Sequence, residues 1–512
     1  MTTNKNRKAL QHYSVIFFLC SFLSTLFLDI SWINAKFGQL ISANTSKVSA
    51  QVPPKVYYVS QYGNNTNPGT IDRPWRNINY AIGASSPVKA GDTILVQPGT
   101  YTGLITLGKS GSSTGGKITL KANGKVIIRD PDPINGGFRE GVIQAAGKSY
   151  WVIDGFRIEN TSWAGIALRD ASNIIVQNNY TYQTGASGII VLPEYYYNGG
   201  ELEVTNSNIK ILKNTVERAN WRWTSNASIE GTQEALSIWG VDGFEVAYNT
   251  LKDGNREGID IKVGSRNGTV HDNIVTRQAL VSGTPNGYRG GPAIYIDGNR
   301  AAMYAIDIYN NVVYGNTADA IVIADEDPNI GDVSDICVYN NIIYGNGILG
   351  VNGGVGILVG RNVREVEIAH NTLAKNVQAI VIDGASFYGG PRPRDILVRN
   401  NIFADSTYRN GYIVDVDNLT IDNNLFTNKF ADFYDIGGGL NNLIAFNNTK
   451  VPSIGFVNLV GNDFHLTSTS PAINIGSPYI STYLQFDKDG VQRIKSAGAS
   501  VDVGAYKYVS PI

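Results

Sequence analysis

The stretch IDIYNNVVYGN at residues 306–316 returns as ICVYNNIIYGN at 336–346 and as VEIAHNTLAKN at 366–376. The same phrase, an apolar run, an asparagine and a second apolar run, recurs with Asn179, Asn214, Asn249, Asn273, Asn311, Asn341, Asn371, Asn401 and Asn424 at its centre. The steps between these asparagines are 35, 35, 24, 38, 30, 30, 30 and 23 residues. Self-similarity of this kind marks a solenoid. Each phrase is followed by another short strand, as in GIIVL (188–192), ALSIW (235–239), GIDIK (258–262), AIYID (293–297) and AIVIA (320–324). Apolar residues alternate within them, as Ile259 and Ile261 do around Asp260 and Lys262, so one face is buried and the other wet. No strand buries its inner face alone, and stacking coil on coil supplies the missing core.

Leucine-rich repeats need leucine at fixed sites, whereas isoleucine and valine dominate here. Propeller blades run about 40–50 residues, well above the 23-residue minimum step. The pattern therefore predicts an all-β, single-stranded right-handed parallel β-helix with a short N-terminal helical cap. Asparagine suits the bend between strands, because it tolerates left-handed backbone angles and its amide caps peptide groups. Stacked in register, the asparagines are expected to form an internal hydrogen-bonded ladder.

The 512 residues exceed what one compact core usually holds, a limit that a solenoid escapes by growing in one dimension. Net charge is −1, with 42 basic and 43 acidic residues and no basic stripe, which argues against a nucleic-acid partner. The two cysteines, Cys20 and Cys337, make no disulfide framework, and Cys337 reads as a small apolar residue. Lys5, Arg7 and Lys8 precede the apolar run SVIFFLCSFLSTLFL at 14–28. That run is shorter than the roughly 20 residues of a membrane span and fits an export signal. Cleavage after Ala35 or Ala50 is expected, with an uncleaved anchor as the alternative. The chain is thus expected to be secreted, cell-surface or periplasmic, monomeric, and without a stable span after cleavage. Its organisation reads as leader (1–50), N-terminal cap and first coils (55–135), β-helix (136–430) and C-terminal coils and cap (431–512). The last segment is expected to close the final coil, and Asp487–Gly490 reads as a turn rather than a calcium loop.

Aligning the following strands places outward residues in columns. One column reads Ile190, Ser237, Asp260, Tyr295 and Val322, and another Leu192, Trp239, Lys262, Asp297 and Ala324. Polar residues gather in three neighbouring coils: Glu234, Glu257, Asp260, Lys262 and Asp297. Coils lie about 4.8 Å apart, and carboxylates that close repel unless protonated or bridged. Ca2+ is the expected bridge, held by Glu234, Glu257, Asp260 and Asp297. Long insertions border these coils and carry Tyr196, Trp221, Trp223, Tyr288 and Arg289, which with Trp239 and Tyr295 are expected to wall a groove for a sugar chain.

YYVSQYGNNTNPGTIDRPW (57–75), GDTILVQPGTY (91–101) and NREGIDIKVG (255–264) together resemble the β-helical proteins of polysaccharide lyase family 9, the pectate lyases, across nearly all of the chain after residue 55. The resemblance implies a calcium ion held by aspartates, partly in an Asp-Asp-Gly-x-Asp strand, and a lysine base. Here Arg256 and Glu257 stand where that strand has its first two aspartates, and Asp297 stands on the later coil that carries the family's lysine. Lys262 has an outward register within the Asp260 strand. The leading expectation is calcium-assisted β-elimination on a uronate-containing, pectin-like polysaccharide. Lys262 would be the base, its pKa lowered toward the working pH, and Arg256 or Arg289 would hold a second carboxylate. A hydrolase using a carboxylate pair such as Glu257 with Asp297, and a glycan-binding protein without catalysis, are the alternatives.

Overall fold

A computed structural model describes residues 53–510, apart from 137–140, 194–203, 223–233, 281–290, 327–330, 348–352, 386–389, 428–434, 480 and 495–497. All but two of the described strands stack into three long parallel sheets, and Phe456–Asn458 and Asp463–Leu466 form a separate antiparallel pair. The first sheet runs from Val56–Val59 to Asn441–Phe446, the second from Gly99–Thr102 to Thr449–Val451, and the third from Ile105–Thr106 to Asp435–Gly438. Each coil therefore has three strands, not two. The asparagine phrase itself spans two of them, as Val333–Tyr339 and Ile342–Tyr344 do on either side of Asn341.

The asparagine ladder is present and is continuous. From Asn179 to Asn424, each Nδ2 donates to Oδ1 of the asparagine one coil on, at 2.9–3.1 Å, and Asn424 passes the chain to Asn448. The same Oδ1 accepts the backbone N–H of the preceding coil, as Asn371 Oδ1 does from Asn341 at 3.0 Å. A second, shorter ladder joins Asn316, Asn346 and Asn376 at the next bend.

One expectation is corrected here. The left-handed residue at the bend is the one before each ladder asparagine: Lys213 (φ 57°), Tyr248 (φ 60°), Asp272 (φ 52°) and His370 (φ 56°) among them. The ladder asparagine contributes its amide to buried peptide groups, and its neighbour makes the turn.

The inner faces form one continuous core of isoleucine, valine and leucine, with Ile259, Ile261, Ile294 and Ile296 wholly buried. At the start, the helix Ile78–Ile82 buries Ile78, Ala81 and Ile82. Beside it the buried Trp75 stacks on Tyr57 at 4.8 Å.

After the last coil, the chain turns back along the flank instead of simply closing the end. Ile475 accepts from Asn423, Ser477 from Asn400, Phe486 from Asn340, and Lys488 donates to the Asn310 carbonyl. The segment thus crosses coil after coil in reverse order, and Ala472, Val503 and Ala505 cover Ile342, Ala374, Ile402 and Leu425 of the second sheet. Asp487 Oδ1 accepts the backbone N–H groups of Asp489 (3.0 Å) and Val491 (2.7 Å), so Asp487–Gly490 is a turn, as expected.

Candidate active site

The third sheet holds the polar patch, and its register is the one that the columns predict. Ile190 pairs with Ser237, Ser237 with Asp260, Asp260 with Tyr295, and Tyr295 with Val322. Two residues on, Trp239 pairs with Lys262, Lys262 with Asp297, and Asp297 with Ala324. Period-two alternation sends this whole set away from the isoleucine core. Gly258 lets the neighbouring backbone approach at the start of the strand, since a Cβ there would lie 2.3 Å from the Ala293 carbonyl oxygen.

The patch is not a wet face. Glu234, Glu257, Asp260 and Asp297 are all at most 5% exposed. Lys262 holds the centre: its Nζ lies 2.8 Å from Glu234 Oε1, 2.9 Å from Asp260 Oδ2 and 4.5 Å from the centre of the Trp239 ring. Ser237 donates to the other Glu234 oxygen at 2.8 Å. Arg256 pairs with Glu257 at 3.0 Å. A Cβ at Gly291 (φ 78°) would fall on Glu257, so a glycine there leaves the carboxylate its space.

Burial works against the charge of every one of these groups, and partners decide the outcome. Desolvation raises the Glu234 carboxyl, but Lys262 and Arg256 overcome it and hold the group down to about 2. Desolvation together with neighbouring carboxylates keeps Asp260 and Asp297 well above the ordinary aspartate range. Desolvation would lower Lys262, but Asp260, Glu234 and Asp297 raise it well above its ordinary value. The expectation of a lysine with lowered pKa is thereby corrected: Lys262 is a firmly held ammonium ion. Asp260 Oδ1 and Asp297 Oδ1 are buried without a hydrogen-bond partner among the described residues.

The four carboxylates expected to bind calcium do not face one cage. Glu257 turns to Arg256, and Glu234 and Asp260 turn to the ammonium group that occupies a cation's place. Among the described residues, no three acidic, histidine or cysteine side chains are gathered as metal ligands. As arranged, these residues do not fit the expected ion.

The expected hydrolytic pair also changes. Asp297 lies across from Lys262, five residues beyond Glu257 along the strand, and its charged neighbours are Asp260, Glu326, Lys262 and Glu234.

Of the expected sugar contacts, Trp239 is 1% exposed and packs with Trp163, Ile190 and Leu192, so it supports Lys262 instead of walling a groove. Tyr295 is nearly buried and donates to Glu326 at 2.8 Å. Trp221 is partly exposed, its indole N–H donating to the Thr161 carbonyl at 3.1 Å. Tyr196, Trp223, Tyr288 and Arg289 lie outside the described residues. Sequence reasoning did not single out Glu326, although it stands two residues beyond the Ile321–Ala324 strand, at the edge of the same patch.

Three sheets wound from repeated coils, with a buried ionic patch on the outer side of one of them, define a right-handed parallel β-helix protein. Residues 57–215 match the family model described as "Pel9A-like, right handed beta helix region", and residues 138–329 match that of a right handed beta helix region. The chain is 29% identical over 140 residues to pectate lyase PEL9 of Emericella nidulans, covering 24% of this chain and 33% of that protein. It is 27% identical over 289 residues to the uncharacterized protein YwoF of Bacillus subtilis (strain 168), covering 51% and 56% of the two chains. The matches thus span about a third and about half of those relatives. The crystal structure of pectate lyase Pel9A superposes with a TM-score of 0.51 at 16% identity, covering 90% of this chain and 97% of the other. The structure of XylC with xylose gives a TM-score of 0.50 at 11% identity, covering 89% and 98%. At those identities the two structures show the fold alone. The chain is a right-handed parallel β-helix protein, and its residues 57–215 are similar to the Pel9A-like β-helix family.

Proposed function

We propose that this protein is an exported, polysaccharide-cleaving enzyme whose chemistry is acid–base catalysis by Asp260 and Asp297 on the third sheet. The observation that supports it most is the position of Lys262, locked between Glu234 and Asp260. A lysine in that state is a poor base. It leaves two neighbouring aspartates as the groups able to exchange protons, each with one buried oxygen lacking a protein partner. Two buried carboxyls this close share protons rather than both ionising. Asp260 has Lys262 to support its negative charge, so Asp297 is the better proton donor to a leaving glycosidic oxygen, and Asp260 is the conjugate carboxylate. Glu234 and Trp239 position Lys262, and Tyr295 borders both aspartates.

The test is to offer neutral and uronate polysaccharides to the purified protein and follow both reducing ends and the absorbance of unsaturated ends. The expected outcome is new reducing ends without the unsaturated chromophore, insensitive to chelator. Asp297→Asn should lower the rate by about 10²-fold or more. Calcium-assisted β-elimination on a uronate polymer is the second reading, favoured by the partial match to pectate lyase PEL9. Unsaturated ends that vanish on chelation would establish it in place of hydrolysis. Binding of oligosaccharide without turnover would overturn both. Export by the apolar run at 14–28 is part of the proposal and is checked by fractionating cells that express the full chain.

A further inference from the structure

We infer that Lys262 is a tethered cation that keeps this site free of divalent metal, and that removing its ammonium group opens a divalent-cation site lined by Glu234, Asp260 and Asp297. The inference concerns the patch of the proposed function but does not depend on turnover. Lys262 Nζ stands 2.8 and 2.9 Å from oxygens of two different buried carboxylates. In register it is flanked by Trp239 on one coil and by Asp297 on the next, whose carboxyl also acts electrostatically on it. Asp260 and Asp297 are 1% and 3% exposed, and each keeps one oxygen without a hydrogen-bond partner.

One positive charge thus pairs with two carboxyl groups, a third stands at the register position on the next coil, and two carboxyl oxygens are left over. An ammonium ion has three donors and one charge, so it cannot satisfy all of these oxygens at once. A hard divalent cation takes six to eight oxygens, from carboxylates and water, and is suited to such a surplus. What keeps it out is the ammonium group itself, which is covalently attached, already desolvated and stacked over Trp239 at 4.5 Å. Displacing it would leave Lys262 buried without its partners, a cost that a free ion must overcome before it gains a ligand.

The experiment compares the wild-type protein with Lys262→Ala, using calcium chloride in calorimetry and thermal melting, and terbium luminescence as an independent probe. Wild type is expected to show no saturable calcium binding at this patch up to about 1 mM, and the same melting temperature in calcium as in chelator. Lys262→Ala is expected to bind calcium, and to melt several degrees higher in calcium than in chelator because the ion binds only the folded state. Its terbium emission should be lost on adding Asp260→Asn. Lys262→Arg keeps a tethered cation and should remain indifferent to calcium.

Wild-type calcium binding that Asp260→Asn abolishes would overturn the inference. A folded Lys262→Ala that binds no calcium would overturn it too, as would one that calcium fails to rescue. None of these readouts measures catalysis, so an inactive but calcium-indifferent wild type would refute the proposed function and leave this inference standing.

Discussion

Lys262, Glu234 and Asp260 form a buried ionic triple, and its energetics differ from those of a surface pair. Replacing Lys262 by methionine keeps the apolar stem over Trp239 but strands two carboxyls. The expected loss is about 3–5 kcal/mol, read by urea unfolding. Glu234 sets the sign of the pH effect. Its folded pKa, about 2, lies below its ordinary value, so its contribution to stability is complete above about 4.5 and is lost as pH falls toward 2. In Lys262→Met that support is gone, so the difference between variant and wild type should widen as pH rises through 4.5. A difference that is the same at pH 3 and pH 7 would show that Glu234 and Lys262 are not coupled. Glu234, Asp260 and Lys262 were all legible in the sequence as members of the polar patch, because the aligned repeats and period two fix which residues face outward. That the lysine would fold onto the carboxylates was not legible, since a four-carbon stem reaches several positions and only packing against Trp239 selects one.

At the scale of the single coil, two residues divide the work of the bend. Lys213 makes the left-handed turn on the exposed side, while Asn214 carries the ladder amide within. Asn214→Ala should destabilise by about 1–3 kcal/mol for each buried group left unpaired. Lys213→Gly should be within about 1 kcal/mol of neutral, because glycine relieves the left-handed strain while it gains unfolded-state entropy. Urea midpoints of the two variants check this, and equal losses would contradict the division of roles. The period and the asparagines were plain in the sequence. Which member of the pair turns the chain was not, because the two adjacent residues are often both asparagine, as at 310–311, 340–341 and 400–401.

The whole molecule is a one-dimensional stack, and the returning C-terminal segment ties together coils that otherwise touch only their neighbours. Arg493, 3% exposed, donates to Asn340 Oδ1 at 2.7 Å and to the Gly504 and Ala505 carbonyls at 2.9 and 3.0 Å. Arg493→Ala is expected to loosen this segment, so that native-state proteolysis cleaves within 452–510 while the β-sheet circular dichroism persists. Loss of the sheet signal in parallel would show that coils and segment unfold as one.

Asp307 lies in register with Cys337, which pairs in turn with Glu367, and Tyr483 of the returning segment donates to Glu367. Burial pushes the Asp307 carboxyl up to about 6. An acid raised in the folded state favours folding while protonated, so stability should fall as pH rises from about 4 to 6. Asp307→Asn should remove that fall, as urea midpoints across this range will show.

The sequence by itself determined the solenoid, its coil period, the asparagine ladder, the register of the third sheet and the coils that hold the polar patch. Each follows from local repetition, because every coil must bury the same alternating face against copies of itself. Only the tertiary structure decided that the outward patch is buried, that Lys262 is a locked cation, that Glu257 turns to Arg256 while Glu234 and Asp260 turn to Lys262, and that the C-terminal segment runs back along the flank. These depend on which side chains meet across coils and on the low polarity of the place where they meet. A repeat pattern sets positions along a strand and does not determine how long side chains pair or how far water is excluded from them.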